Sequence, residues 1–275
     1  MNVLSIQSEV VFGHVGQGAA RFALQRLGHD VWALPTVLYS NHAGYPHVEG
    51  DVIPADALRH LLDGLWANGW LEHCDAVLSG YLGSAAQAEV VAEAVIRTKR
   101  SNPEALYCLD PVLGDNGRLY AKAGIAEAMA RHLLPLADIV TPNAFELQQL
   151  SAVRVANHVE ATRAAARLGR PLVLVTSVPR GIEGIGVLAV SSDERWLAST
   201  PLLDHVPHGA GDLFAALFLA ERVEGTRIAD ALPSSVARVF RMLAASRGCT
   251  ELRLIAEQSV LLNPELLPEL ELARL

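Results

Sequence analysis

Residues 208–220 read HGAGDLFAALFLA, and the rest of the chain is best read outward from them. Gly209 and Gly211 flank Ala210, the acid Asp212 follows, and then eight residues run without a charge. A glycine-rich turn that opens a helix exposes main-chain N–H groups at the positive end of the helix dipole. Such a turn accepts anionic charge, including that of a transferring phosphoryl group. A carboxylate beside it would repel phosphate. Asp212 makes chemical sense there if it orients an attacking hydroxyl and takes its proton. Phosphoryl transfer tolerates a weak base, because positioning and electrostatics contribute most of the catalysis. The residues HGAGDLFAA alone also fit a plainer use, with Asp212 capping a buried helix and the glycines serving the turn.

Upstream, short apolar runs alternate with helical patterns. Strands are expected at Val3–Ile6, Val31–Leu34, Ala76–Leu78, Leu106–Leu109, Ile139–Val140 and 171–176. Helices are expected at Gly16–Leu27, Pro54–Leu65, Ala85–Arg100, Ile125–Leu134, Ala144–Leu150 and Val159–Leu168. In the first helix Ala19, Ala20, Ala23, Leu24 and Leu27 share one face, and Gln17, Arg21 and Gln25 the other. This alternation implies a mainly parallel sheet between helical layers, an α/β fold. Beyond Gly184 the pattern changes to an antiparallel hairpin, Gly186–Val190 with Arg195–Ala198, then helices Gly211–Val223 and Ile228–Arg247. The last 25 residues are ambiguous. With no repeat, low-complexity tract or linker, residues 1–275 read as a single domain.

Composition narrows the function. The chain of 275 residues is 51% hydrophobic, enough for a large core. Its net charge of −8 argues against a nucleic-acid or anionic-membrane partner, though not against a small anion held locally. Cys74, Cys108 and Cys249 are scattered, without metal-ligand spacing, and read as reduced thiols of a cytoplasmic protein. The start, MNVLSIQSEVV, lacks a basic region and a long apolar run, so neither signal peptide nor membrane span is expected.

In an open α/β sheet, ligands bind beyond the carboxyl ends of the strands. Gln7 and Ser8, Gly80 and Tyr81, Asp110 and Asp115, Thr141, Asn143 and Glu146, and Thr176 and Ser177 are expected to follow successive strands and to converge on one cleft.

Six segments, in order over nearly the whole chain, resemble the pyridoxal (vitamin B6) kinases of the ribokinase-like superfamily. GAGDLFAALFLA is similar to that family's GTGDLFAA signature. IQSEVVFGHVG (6–16), TVLYSNHAGY (36–45), VLSGYLGS (77–84), LDPVLGD (109–115) and PLADIVTPNAFELQQLS (135–151) match the others. The resemblance implies a three-layer α/β/α fold, usually a homodimer. It implies phosphorylation of the 5′-hydroxymethyl group of pyridoxal, pyridoxine or pyridoxamine with ATP and Mg²⁺, assisted by a monovalent cation such as K⁺. Carried over, Asp212 is the base and Gly209, Ala210 and Gly211 the anion hole. Asp110, Asp115 and Glu146 hold Mg²⁺ directly or through water, a role suited to hard oxygen donors. Asn143 belongs to the phosphate and metal network, Thr176 and Ser177 contact the nucleotide, and Tyr120 is a lid residue. Ser8, Tyr81, Val15 and His42 form the vitamin pocket, where stacking suits a flat heterocycle.

The chain departs from the family in places. Ala43 stands where some members carry a substrate-contacting threonine after SNH. Thr176 stands where one bacterial branch has lysine, and the lid stretch DNGRLYA (115–121) is short and lacks that branch's cysteine. A shorter lid would shield ATP less from water. Two alternatives follow: a hydroxymethylpyrimidine kinase, or a B6- or PLP-binding protein with little kinase activity.

Overall fold

The structure is a computed structural model that describes residues 1–275 except 116, 182, 264 and 266. Its strands are β1 (Asn2–Val10), β2 (Asp30–Tyr39), β3 (Gly50–Val52), β4 (Ala76–Ser79), β5 (Leu106–Leu109), β6 (Gly114–Asp115), β7 (Arg118–Leu119), β8 (Ile139–Val140), β9 (Leu172–Arg180), β10 (Gly184–Ser191), β11 (Arg195–Pro201) and β12 (Glu271–Arg274). The helices are α1 (Gln17–Arg26), α2 (Ala55–Ala67), α3 (Ala86–Ser101), α4 (Ile125–Ala128), α5 (Ala144–Ser151), α6 (His158–Arg167), α7 (Ala210–Val223) and α8 (Ile228–Ala245).

Ten strands form one sheet in the order β12-β11-β10-β9-β8-β5-β4-β1-β2-β3. The run from β9 to β2 is parallel, and β3, β10, β11 and β12 are antiparallel additions. The period of two along each strand feeds both faces. Val3, Ala76, Leu78, Cys108 and Ile139 pack toward α1, α7 and α8. Their neighbours Leu4, Ile6, Val77, Tyr107, Leu109 and Val140 pack toward α2 and α3 on the other face. The expected three-layer α/β/α fold is the one observed. Residues 213–220, the uncharged run of α7, are all buried.

Several boundaries move for physical reasons. β1 continues through Gln7 and Ser8 to Val10, with a register shift between Gln7 and Glu9 where it pairs β2. Gln7 and Ser8 therefore lie within the strand rather than after it. β9 likewise carries Thr176 and Ser177 inside it, opposite an irregularity in its pairing with β10. Gln17, placed on the polar face of α1 by helical period, is fully buried. Its amide donates to the Ser5 carbonyl at 2.8 Å and accepts from the Ser5 hydroxyl at 3.0 Å, so a polar pair replaces an apolar contact under the sheet. The helix expected over 125–134 is α4 followed by a π-type turn, Met129–Leu133, and a 3₁₀ turn, Leu134–Leu136. The ambiguous tail supplies β12, which pairs β11 at the sheet edge. Cys74 and Cys108 are buried free thiols and Cys249 an exposed one. No described helix is long and apolar enough to cross a membrane.

Candidate active site

The carboxyl ends of β1, β4, β5, β8 and β9 lie side by side in the sheet, and the start of α7 meets them. At that start Gly209 has φ +102°, a left-handed value that favours glycine, and no side chain caps the helix. A Cβ on Gly209 would collide with the His14 carbonyl oxygen, whereas one on Gly211 would meet open space. The two glycines thus do different work. Gly209 permits the close turn, and Gly211 leaves room beside the helix N-terminus. Asp212 is not the N-cap: the cap position is Gly209.

Asp212 is enclosed. Burial raises its carboxyl pKa to about 6, against the pull of the Gly16 and Asp212 main-chain N–H groups and of His208. Asp110 lies near it, 6% exposed. Its pKa is raised by burial and then by Asp212, and partly restrained by the Thr141 hydroxyl, which donates to its Oδ1 at 2.8 Å. Glu146 is pushed up by burial and by Asp110. Tyr120 is 43% exposed, but loss of water around its hydroxyl, and then Glu146, Asp110, Asp212 and Asp115, raise that group's pKa. The acids expected to converge do so, together with the lid tyrosine. Asn116 of the lid stretch lies outside the described residues.

Glu146 has a second task. Asn143 and Glu146 form a reciprocal cap on α5: the Glu146 N–H donates to Asn143 Oδ1 at 2.9 Å, and the Asn143 N–H to Glu146 Oε2 at 2.9 Å. Glu146 Oε1 accepts from the Leu113 N–H at 2.9 Å, and the Asn143 amide donates to the Gly114 carbonyl at 2.8 Å. This pair holds the start of the lid stretch against the sheet. Thr176 bridges to Asn143 in parallel fashion, and Ser177 has φ +57°, a left-handed conformation uncommon for serine. The strain sits at the pair expected to meet the nucleotide.

Of the residues expected to form the vitamin pocket, Ser8 is buried and touches Gly16, where a Cβ would collide with Ser8 O and Oγ. Ser8 is thereby one residue contact from the main-chain N–H that faces Asp212. Val15 is buried beside it. His42 packs its ring on His208, the residue before the anion turn, with centroids 4.7 Å apart. Tyr81 follows β4, accepts from the Thr36 hydroxyl through its carbonyl at 2.6 Å, and lies near Tyr39. Open hollows of about 550 and 530 Å³, beside Gln148 and Arg154 and beside Trp196 and Arg222, are lined by none of these residues. Gly16 and Glu251 were not singled out in the sequence. Gly16 acts through its N–H group, which no side chain advertises, and Glu251 is remote in the chain.

The comparisons decide the family. The family model for phosphomethylpyrimidine kinase matches residues 36–251. A pyridoxal kinase of Rubrobacter xylanophilus is 44% identical, covering 96% of this chain and 94% of its own. The chain belongs to the pyridoxal kinase family. A pyridoxal kinase of Corynebacterium diphtheriae is 40% identical over 98% of this chain and 99% of its own. The solved pyridoxal kinase of Leishmania donovani with ADP and pyridoxamine superimposes with a TM-score of 0.94 at 32% identity, covering 100% of this chain and 99% of that one. For the Entamoeba histolytica pyridoxal kinase the TM-score is 0.94 at 26% identity, with 100% and 99% coverage.

Whether the family's Mg²⁺ fits can be asked of these residues. Asp110 and Glu146 are buried and Asp212 is half-buried, all three resist ionisation, and the charge of Asp212 adds to the rise at Asp110. That surplus of negative charge is what a divalent cation neutralises. Among the described residues no three His, Cys, Asp or Glu side chains close around an ion. Mg²⁺ commonly takes one or two carboxylates and completes its shell with water and substrate phosphates, so the donor set fits.

Proposed function

We propose that this chain transfers the γ-phosphoryl group of ATP to the 5′-hydroxymethyl oxygen of pyridoxal, giving pyridoxal 5′-phosphate in B6 salvage, with pyridoxine and pyridoxamine as further acceptors. The observation that carries this is the half-buried Asp212 at the uncapped start of α7, close enough to Asp110 to raise its pKa and faced by the Gly16 N–H. The 5′-hydroxyl lies at Asp212, which orients it and accepts its proton as the new O–P bond forms and the bond to the ADP oxygen breaks. The N–H groups of Gly209, Ala210 and Gly211 take the charge that gathers on the transferring oxygens. Asp110 and Asp115 hold Mg²⁺, with Glu146 acting through water because its oxygens already serve main-chain donors. The ion supplies neutralisation of phosphate charge when bound. Asn143, Thr176, Ser177 and Tyr120 receive the nucleotide; Ser8, Val15, His42 and Tyr81 receive the vitamin. The whole chain works as one cytoplasmic kinase domain, paired as a homodimer and aided by K⁺.

The matching family model is described as that of a phosphomethylpyrimidine kinase, which keeps a pyrimidine such as hydroxymethylpyrimidine as the competing acceptor. The test is product formation from pyridoxal, pyridoxine, pyridoxamine and hydroxymethylpyrimidine with Mg·ATP and K⁺, with Asp212→Asn as control. A B6 phosphate that vanishes in the variant supports the proposal. A faster pyrimidine reaction replaces it with the competitor. Vitamin binding without turnover makes the chain a B6-holding protein, with Ala43 and the short lid as the cause.

A further inference from the structure

Glu251 lies 237 residues from His14 in sequence, yet its carboxylate sits among the loops that border the proposed vitamin and phosphate sites. Oε2 accepts the His14 main-chain N–H at 2.9 Å. Oε1 accepts the Tyr45 hydroxyl at 2.7 Å and lies 3.2 Å from His42 Nε2. The side chain is 12% exposed, so these bonds are largely shielded from water. The Gly44 N–H donates to His42 Nδ1 at 3.0 Å, which makes Nδ1 the acceptor and Nε2 the donor toward Glu251. One neutral tautomer therefore satisfies both ends of the ring and fixes its plane.

The residues so tied border the reaction centre. His42 packs on His208. The His14 carbonyl lies against Gly209 of the anion turn, at the other end of the residue whose N–H Glu251 holds. Two residues beyond His14, the Gly16 N–H faces Asp212.

We infer that Glu251 is a positioning residue for phosphoryl transfer, a carboxylate tie that sets the vitamin loop 41–45 and the 13–16 loop in register with the anion turn at 209–211. The inference deepens the kinase proposal and rests on it. A glutamine cannot replace the tie. It has one acceptor oxygen where three donors need two, and whichever way its amide turned, the NH₂ would face an N–H, of His14 or of His42.

The test uses the full chain and the variants Glu251→Gln, Tyr45→Phe and their double. In steady-state assays Glu251→Gln raises KM for pyridoxal and lowers kcat, each roughly tenfold, while KM for ATP stays put. Tyr45→Phe gives a smaller change in the same direction, and the double variant shows less than the product of the two, since both remove one contact. Amide exchange in segments 13–16 and 41–45 quickens together in Glu251→Gln, a readout that does not need turnover. Parallel changes in both KM values, or a lower melting temperature with unchanged kinetics, would make Glu251 merely structural and overturn the inference. Unchanged exchange in either segment overturns it as well. A wild type that does not phosphorylate B6 vitamers sinks the kinase proposal instead, and the exchange data still judge the tie.

Discussion

Two helices begin at the centre of this molecule, and both carry an acid at their third residue: Glu146 in α5 and Asp212 in α7. Glu146 is buried and Asp212 half-buried, and loss of water raises the pKa of both. Their surroundings separate them. At α5 the first turn is closed by a reciprocal Asn143–Glu146 cap, and the remaining Glu146 oxygen is occupied by the Leu113 N–H. At α7 the cap is a glycine with no side-chain bond, and open space lies beside Gly211. The closed start uses its donors to hold loops. The open start leaves them for a ligand. An acid near a helix start is thus assigned by whether a side-chain cap closes the turn around it, not by its position in the motif.

Asp212→Asn tests the open start hardest. Turnover should fall by roughly 10²–10⁴-fold with the fold kept, measured by initial rates beside thermal unfolding. Near-normal turnover would erase the distinction drawn here. Gly209→Ala comes next. It places a side chain against the His14 carbonyl at a left-handed position, and should cost on the order of 10²-fold in turnover while lowering the melting temperature. Glu146→Ala should act mainly on stability, since it leaves the Leu113 and Asn143 N–H groups without their acceptor. A loss of about 1–3 kcal/mol in denaturant unfolding is expected. Large loss of activity at unchanged stability would mean that α5 is as open as α7.

A pH series sharpens the contrast. The folded state raises the pKa of Asp110 and Asp212 above their unfolded values, so it favours their protonated forms. Their contribution to stability is therefore full below about pH 4 and is lost as pH rises through about 6 for Asp212 and about 7 for Asp110. Without Mg²⁺ and nucleotide, wild-type stability should decline across this window, and the decline should flatten in Asp212→Asn. Mg·ATP should restore it by neutralising the pair. A wild type as steep with Mg·ATP as without would count against Asp110 as a metal residue. The smallest effect is expected from Ser8→Ala: a few-fold rise in KM for pyridoxal at nearly unchanged kcat, about the worth of one hydrogen bond.

The sequence exposed some of this and hid the rest. Leu106–Leu109 and Ile139–Val140 are bounded as expected because Asp110-Pro111 and Thr141-Pro142 end the apolar runs. β1 is longer than its apolar run because Gln7 and Glu9, on either side of a register shift at Ser8, keep pairing with β2 although their side chains are polar. β3, β6 and β7 have two or three residues each, too few to show a period. The acids and the anion turn were legible through chemistry and resemblance together. Gln17 was misplaced because helical period marks faces by polarity, and its amide is satisfied by Ser5 beneath the sheet. Glu251 carries no local pattern at all, since its partners belong to segments near the other end of the chain.

That separation matters while the protein is being made. Of the residues assigned to nucleotide, metal and vitamin, every one precedes Gly209, but the turn that joins them and the carboxylate that fastens their loops emerge only in the last quarter of the chain. Contacts so distant in sequence are slow to form. On the ribosome, the chain would carry a nearly finished sheet whose reaction centre is still unassembled. A nascent chain stopped before Glu251 would have the parts of a kinase without the arrangement, and would gain it only once that residue had emerged.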